Sequence, residues 1–296
     1  MVLAVLTSFD GGRLFGQVHG SGAPVVVALH GWARDHGDFD LVLGGAAARN
    51  GALNAAVAPH DSPGLARSAD DSPLPDGPLP SIALDLPGFG GTPAPEHAWG
   101  SPEYGDAVGR LLEELDRPVV LVGHSFGGRV AVQVAATRPG AVRGLVLTGA
   151  PLFPASSDAG RRRPPARYRL ARALARSGLV GEERLEALRQ RYGSPDYRAA
   201  TGVMREVLVR AIAEEREEAY SAPLGAVTAP VELVWGELDT AAPPQVAERI
   251  VAHLSAPVEL SVLPGVGHLT PLVAPGRLRQ VIERLLAASG GRVEGL

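Results

Sequence analysis

Short runs that are apolar at every position punctuate this chain, and between them lie stretches whose apolar residues recur every three or four positions. Val25 to Leu29 and Val119 to Val122 are runs of the first kind. A strand with no polar face must be covered on both sides, as in the centre of a parallel sheet. Ser81 to Leu86, Val142 to Leu147, Val231 to Trp235 and Val258 to Leu263 read as further strands. Helices are expected at Asp40 to Arg49, Pro102 to Leu115, Gly127 to Ala136, Gln245 to Leu254 and Leu278 to Ala288. Val2 to Ser8 and Arg13 to His19 read as strands either side of Asp10-Gly11-Gly12, a hairpin turn that starts the sheet at its edge. The alternation predicts an α/β fold, a mostly parallel central sheet of about eight strands covered by helices on both faces.

Two segments depart from the alternation. From Pro154 to Pro223 the pattern is helical only: Arg167 to Ser177, Glu182 to Tyr192, and a third helix opened by Ser194-Pro195 with Met204, Leu208, Ala211 and Ile212 on one stripe. This divides the chain into a core of residues 1–153 and 224–296 and an inserted all-helical unit, 154–223. Gly51 to Pro80 carries six Pro and four Asp with almost no large apolar residue, so a disordered or loosely held surface loop is expected at 51–80. Gly290 to Leu296 is expected to be a mobile tail.

Composition removes several kinds of chemistry. The chain has no cysteine, which excludes a disulfide framework, thiolate catalysis and cysteine-ligated metals. All 28 basic residues are arginine, so Schiff-base and pyridoxal chemistry have no lysine to use. Fourteen of those arginines fall between Arg161 and Arg216, interspersed with Glu, and with a net charge of -4 they read as a solvated helical surface, not a nucleic-acid interface. No apolar run reaches membrane-spanning length, and the first residues lack a basic n-region. No membrane association and a cytoplasmic location are expected.

The candidate chemistry centres on Val119 to Val130, where a buried strand runs into Gly123-His124-Ser125-Phe126-Gly127 and then a helix. A sharp strand-to-helix turn lifts Ser125 clear of the sheet in strained backbone geometry, and glycines stand at 123 and 127 where a side chain would collide with neighbouring backbone. The first helical N–H groups are left beside the hydroxyl, and that of Phe126 is best placed to hold a negative oxygen. A serine hydroxyl needs a base within reach and a third group to orient that base. His268 stands in a Gly-rich turn after a strand, and Asp239 just past the preceding strand, with Glu237 open as an alternative acid. Strand ends on one edge of a parallel sheet converge, so the three can meet. His30 is read as bracing the loop at Gly31, His124 as packing, and Asp85 as fixing the bend at its strand end. His19, His36, His60, His97 and His253 carry no argued role. No spaced set of His or acidic residues suggests a metal.

His30-Gly31-Trp32, Asp85 to Gly90, Gly123 to Gly128, Gly236 to Asp239 and Gly267-His268 together resemble the α/β-hydrolase family over nearly the whole chain. The resemblance implies catalytic Ser125, Asp239 and His268 in that chain order, and an oxyanion hole made by the backbone N–H groups of Trp32 and Phe126. His30, Gly31, Gly123 and Gly127 would support them, and residues 154–223 would form a lid. It implies a serine hydrolase acting on a small carboxylic ester through an acyl-enzyme, with no cofactor and no metal. C–C bond hydrolysis or cofactor-free perhydrolysis by the same triad are alternatives, as is a non-catalytic sensor on the same fold. Serine at 125 argues against the dehalogenase and epoxide chemistry of aspartate nucleophiles. The oligomeric state is left open.

Overall fold

The two uninterrupted apolar runs become neighbours at the centre of one sheet. The computed structural model describes residues 6–45, 77–154, 195–215 and 217–290. Its eight strands are β1 (Thr7–Phe9), β2 (Leu14–His19), β3 (Val26–Leu29), β4 (Ser81–Asp85), β5 (Val119–His124), β6 (Val142–Thr148), β7 (Val231–Gly236) and β8 (Val258–Leu263). They lie in the order β1-β2-β4-β3-β5-β6-β7-β8. β2 is antiparallel to β1 and β4, and from β4 to β8 every pairing is parallel. This is the mostly parallel sheet that the apolar runs predict.

Each central strand divides its side chains between two cores. Val27, Leu29, Leu121 and Leu145 face one side, where they pack with α2 (Ser101–Glu114), α3 (Phe126–Thr137), α6 (Glu217–Ala226) and α7 (Pro244–His253). Val26, Ala28, Val120 and Val146 face the other, against α1 (Asp40–Gly44) and α9 (Pro275–Gly290). Full burial of one such Val or Leu contributes about 1.5–3 kcal/mol, so a sheet hydrophobic on both faces holds only if both layers of helices stay in place. Among the described residues no helix is long and apolar enough to cross a membrane.

Several details differ from expectation. The third inserted helix is two helices, α4 (Pro195–Ala199) and α5 (Gly202–Ala213), because Gly202 takes φ +52°, which a continuous helix cannot accommodate. Ile212 is half exposed, and Val207 joins Leu208 and Ala211 in the buried face of α5. At 3.6 residues per turn Ile212 lies about 90° round from the centre of that face. Helix α6 runs through Pro223, and its Tyr220 and Leu224 are buried in the same core as α3. Short helices at His36–Phe39 (3-10) and at Thr270–Val273 (α8) were not expected. They are single turns, too short to carry a hydrophobic period. The Gly51 to Pro80 loop up to residue 76, the start of the first strand, the end of the Asp40 to Arg49 helix, the helices Arg167 to Ser177 and Glu182 to Tyr192, and the tail beyond Gly290 lie outside the described residues.

Helix α5 is tied to the core by buried polar contacts. The Arg129 guanidinium, on α3, donates to the Ala211 carbonyl and, at 2.7 Å, to Glu215 Oε1. Glu214 accepts the Ser101 N–H at the start of α2 and the Tyr220 hydroxyl at 3.0 Å. An arginine this buried needs such partners, since an unpaired charge in an apolar core is far costlier than an unpaired amide.

Candidate active site

The turn from β5 into α3 places Ser125 at φ +51°, ψ -114°, a rare conformation for a residue with a side chain. The surrounding backbone holds it there. The Ser125 N–H donates to Thr148 O at 2.9 Å, and the Gly127 N–H donates to His30 O at 3.0 Å. A Cβ at Gly127 would lie 2.2 Å from Leu29 O and one at Gly123 would lie 2.6 Å from the Gly128 Cα, so both positions of the elbow exclude any side chain.

Three strand ends converge on this serine. Asp239 follows β7 and His268 follows β8, and the two loops are bound together where the Leu238 N–H donates to Val266 O at 2.8 Å. His268 Nδ1 donates to Asp239 Oδ2 at 2.8 Å, and His268 Nε2 stands 3.0 Å from the Ser125 hydroxyl oxygen. Asp239 is buried, and its other oxygen, Oδ1, accepts the Ala241 and Ala242 N–H groups at 2.9 and 2.8 Å. These amides fix the carboxylate's orientation. Glu237 points elsewhere, being exposed and accepting the Gly265 N–H at 3.0 Å.

The ring of Trp32 packs edge-on against Phe89 and Phe126, with centroids 5.0 and 5.6 Å away. Among the described residues the N–H groups of Trp32 and Phe126 are taken up by no hydrogen bond. His30 braces this loop: its Nδ1 donates to Gly31 O at 2.7 Å and its Nε2 accepts the Leu86 N–H at 3.0 Å. Those bonds need a neutral ring, and burial lowers the His30 pKa below its usual value. Gly31 sits against the elbow, where an added Cβ would lie 3.2 Å from the Ser125 Cβ.

Some contributors escaped the sequence. His36 donates through its backbone N–H (2.7 Å) and Nδ1 (2.9 Å) to Asp85 Oδ1, while Asp85 Oδ2 accepts the Gly91 N–H at 2.8 Å. Asp85 therefore holds the bend after β4, as expected, and His36 shares that work. The hydrogen bond and charge of Asp85 raise the His36 pKa. His124, expected only to pack, donates through Nε2 to the His268 carbonyl at 3.0 Å. Among the described residues no group of three or more His, Cys, Asp or Glu could hold a metal ion.

Gly149, at the end of β6, is the other unforeseen position. Its φ is +56°, and an added Cβ would lie 3.0 Å from the His268 ring and 3.1 Å from Asp239 Oδ2. Its trace in the sequence is weak, a glycine after a strand, because only the strand order brings that position between Ser125 and Asp239. Gly149→Ala is expected to lower kcat about 10- to 100-fold by pushing the histidine off line. Thermal melting will show that the variant is folded, and an unchanged kcat would mean that the pair has room to shift.

Chains of known type match this one. A segment of 74 residues is 46% identical to Lipase LipV of Mycobacterium tuberculosis, but it covers only 23% of this chain and 26% of that protein. Over 254 residues, 80% of this chain and 84% of the relative, it is 28% identical to a pimeloyl-[acyl-carrier protein] methyl ester esterase of Pectobacterium atrosepticum. The structure of a thermophilic esterase from Thermogutta terrifontis superposes with a TM-score of 0.58, covering 97% of this chain and 99% of that one at 22% identity, a likeness of fold. The model of the alpha/beta hydrolase family matches residues 25–281, which takes in the elbow, the acid and the histidine, and the chain belongs to that family.

Proposed function

We propose that this protein is a serine hydrolase of small carboxylic esters, with Ser125 as nucleophile, His268 as general base and acid, and Asp239 orienting His268. The observation that carries the reading is the unbroken hydrogen-bonded line from Asp239 Oδ2 through His268 to the Ser125 hydroxyl, at 2.8 and 3.0 Å. Ser125 Oγ attacks the ester carbonyl carbon while its proton passes to His268 Nε2. The carbonyl oxygen becomes negative and is met by the N–H groups of Trp32 and Phe126. His268 then gives the proton to the departing alcohol oxygen, leaving an acyl group on Ser125. Water enters, loses a proton to His268 and attacks the acyl carbon; Ser125 Oγ leaves with that proton, and the acid is released.

The names of the relatives, a lipase and methyl ester esterases, favour an ester over an amide or a C–C bond. Residues 154–223 are proposed as a lid that sets acyl preference and supplies none of the three catalytic groups. In support, Met204 of α5 lies against the turn after β4, where a Cβ on Gly88 would come within 2.5 Å of its Cε, and it is packed with the core that holds Trp32 and Phe89.

The purified protein should hydrolyse p-nitrophenyl esters with a clear optimum of acyl length. A fluorophosphonate should label one peptide, the one containing Ser125, because among the described residues that serine is the one with an aligned base. Labelling elsewhere, or binding of the esters with no turnover, would sink the reading, the latter in favour of a sensor.

A further inference from the structure

We infer that His124 is a positioning residue that ties the base to the nucleophile, by a hydrogen bond from the residue preceding Ser125 to the main chain of His268. The inference rests on the hydrolase reading above. His124 ends β5 and is buried, and its Nε2 donates to the His268 carbonyl at 3.0 Å across 144 positions of sequence. Ser125 and His268 come from strands that do not pair with each other, since β6 and β7 lie between β5 and β8. Their separation is therefore the sum of three strand spacings and two loops unless something spans the gap. The His124 bond spans it directly.

The ring's state follows from its partners. A carbonyl oxygen can only accept, so Nε2 carries the proton and Nδ1 is left with a lone pair. That Nδ1 is buried and, among the described residues, without a partner, with Gly31 against it: an added Cβ there would lie 3.1 Å away. A proton on Nδ1 would have no acceptor, and the charge would stand 5.0 Å, ring to ring, from His268. His124 is thereby kept neutral while its neighbour becomes an imidazolium. Burial, and after it the charge of His268, hold the His124 pKa well below the usual value.

The test compares His124→Gln, whose amide nitrogen stands as many bonds from Cβ as Nε2 does, with His124→Leu, which keeps an apolar ring-sized volume and no donor. Kcat, KM and the rate of fluorophosphonate labelling are measured for each beside Ser125→Ala. His124→Leu is expected to lose roughly 10- to 100-fold in kcat and in labelling rate, with KM within about twofold, because the base moves but the acyl site does not. His124→Gln is expected to stay within about threefold of the parent. Should the leucine variant not fold, His124→Asn takes its place, since its donor is one bond too short; it is expected to be impaired where glutamine is not. Full activity in His124→Leu, or equal losses in folded variants with and without the donor, would overturn the inference. Activity surviving in Ser125→Ala would instead remove the hydrolase reading on which it stands.

Discussion

Ser125→Ala is expected to lower kcat about 10⁶-fold, and adding His268→Ala to it is expected to cost almost nothing more. The alanine removes the hydroxyl aligned with His268 Nε2, 3.0 Å away. Once the nucleophile is gone the base has no proton to take, so the two losses are one loss counted twice. What survives is the proposed oxyanion site, the Trp32 and Phe126 N–H groups. Such donors alone leave roughly 10³- to 10⁴-fold over the rate in water. The fold should not suffer, because the main-chain bond from residue 125 to Thr148 O, 2.9 Å long, does not involve the hydroxyl. Turnover of the preferred p-nitrophenyl ester by the two single variants and the double variant measures this, with active-site titration to exclude traces of parent enzyme. Losses that multiply, or a serine variant keeping more than about one per cent of kcat, would mean that Ser125 and His268 do not act as a unit.

Those parts of the molecule that follow from local pattern could be read from the chain, and those that follow from strand order could not. Val25 to Leu29 and Val119 to Val122 announce buried strands because neither has a polar face to give water, and in the structure they pair in parallel at the sheet's centre. Gly123 and Gly127 announce the elbow because close backbone approach leaves its mark in residue type. The spacing of Asp239 and His268 after their strands is local too. By contrast, Gly149 lies where a side chain would meet His268 and Asp239 only because β6 lies between β5 and β7, and a glycine after a strand has many ordinary explanations. His124 reads as packing because a residue of β5 gives no sign that its ring reaches a carbonyl beyond β8. His36 reads as a loop residue because its partner, Asp85, is 49 positions away. Helical period alone puts Ile212 on the buried stripe of α5, because a period marks a face but not its edge, and the residue is half exposed.

Asp239→Asn is expected to reduce kcat by about 10⁴-fold with KM little changed, the size of the effect when the same exchange is made in a serine-protease triad. The structure supplies a reason for this site. Oδ1 of Asp239 already accepts two turn amides, from Ala241 and Ala242, at 2.9 and 2.8 Å. An asparagine must give its carbonyl oxygen to those donors, which turns its NH₂ group toward His268 Nδ1. That nitrogen can then only accept, so the ring proton moves to Nε2, and Nε2 loses the lone pair that should take the Ser125 proton. The imidazolium of the transition state also loses the carboxylate 2.8 Å from its Nδ1. Glu237→Gln is the control, because Glu237 is exposed and, among the described residues, holds only the Gly265 N–H, at 3.0 Å, a bond that a glutamine oxygen can keep. Its kcat should stay within roughly tenfold of the parent. Steady-state kinetics of both variants on one ester decide the matter: a large loss in Glu237→Gln with a mild one in Asp239→Asn would move the acid to Glu237, and two mild effects would remove this loop from the mechanism.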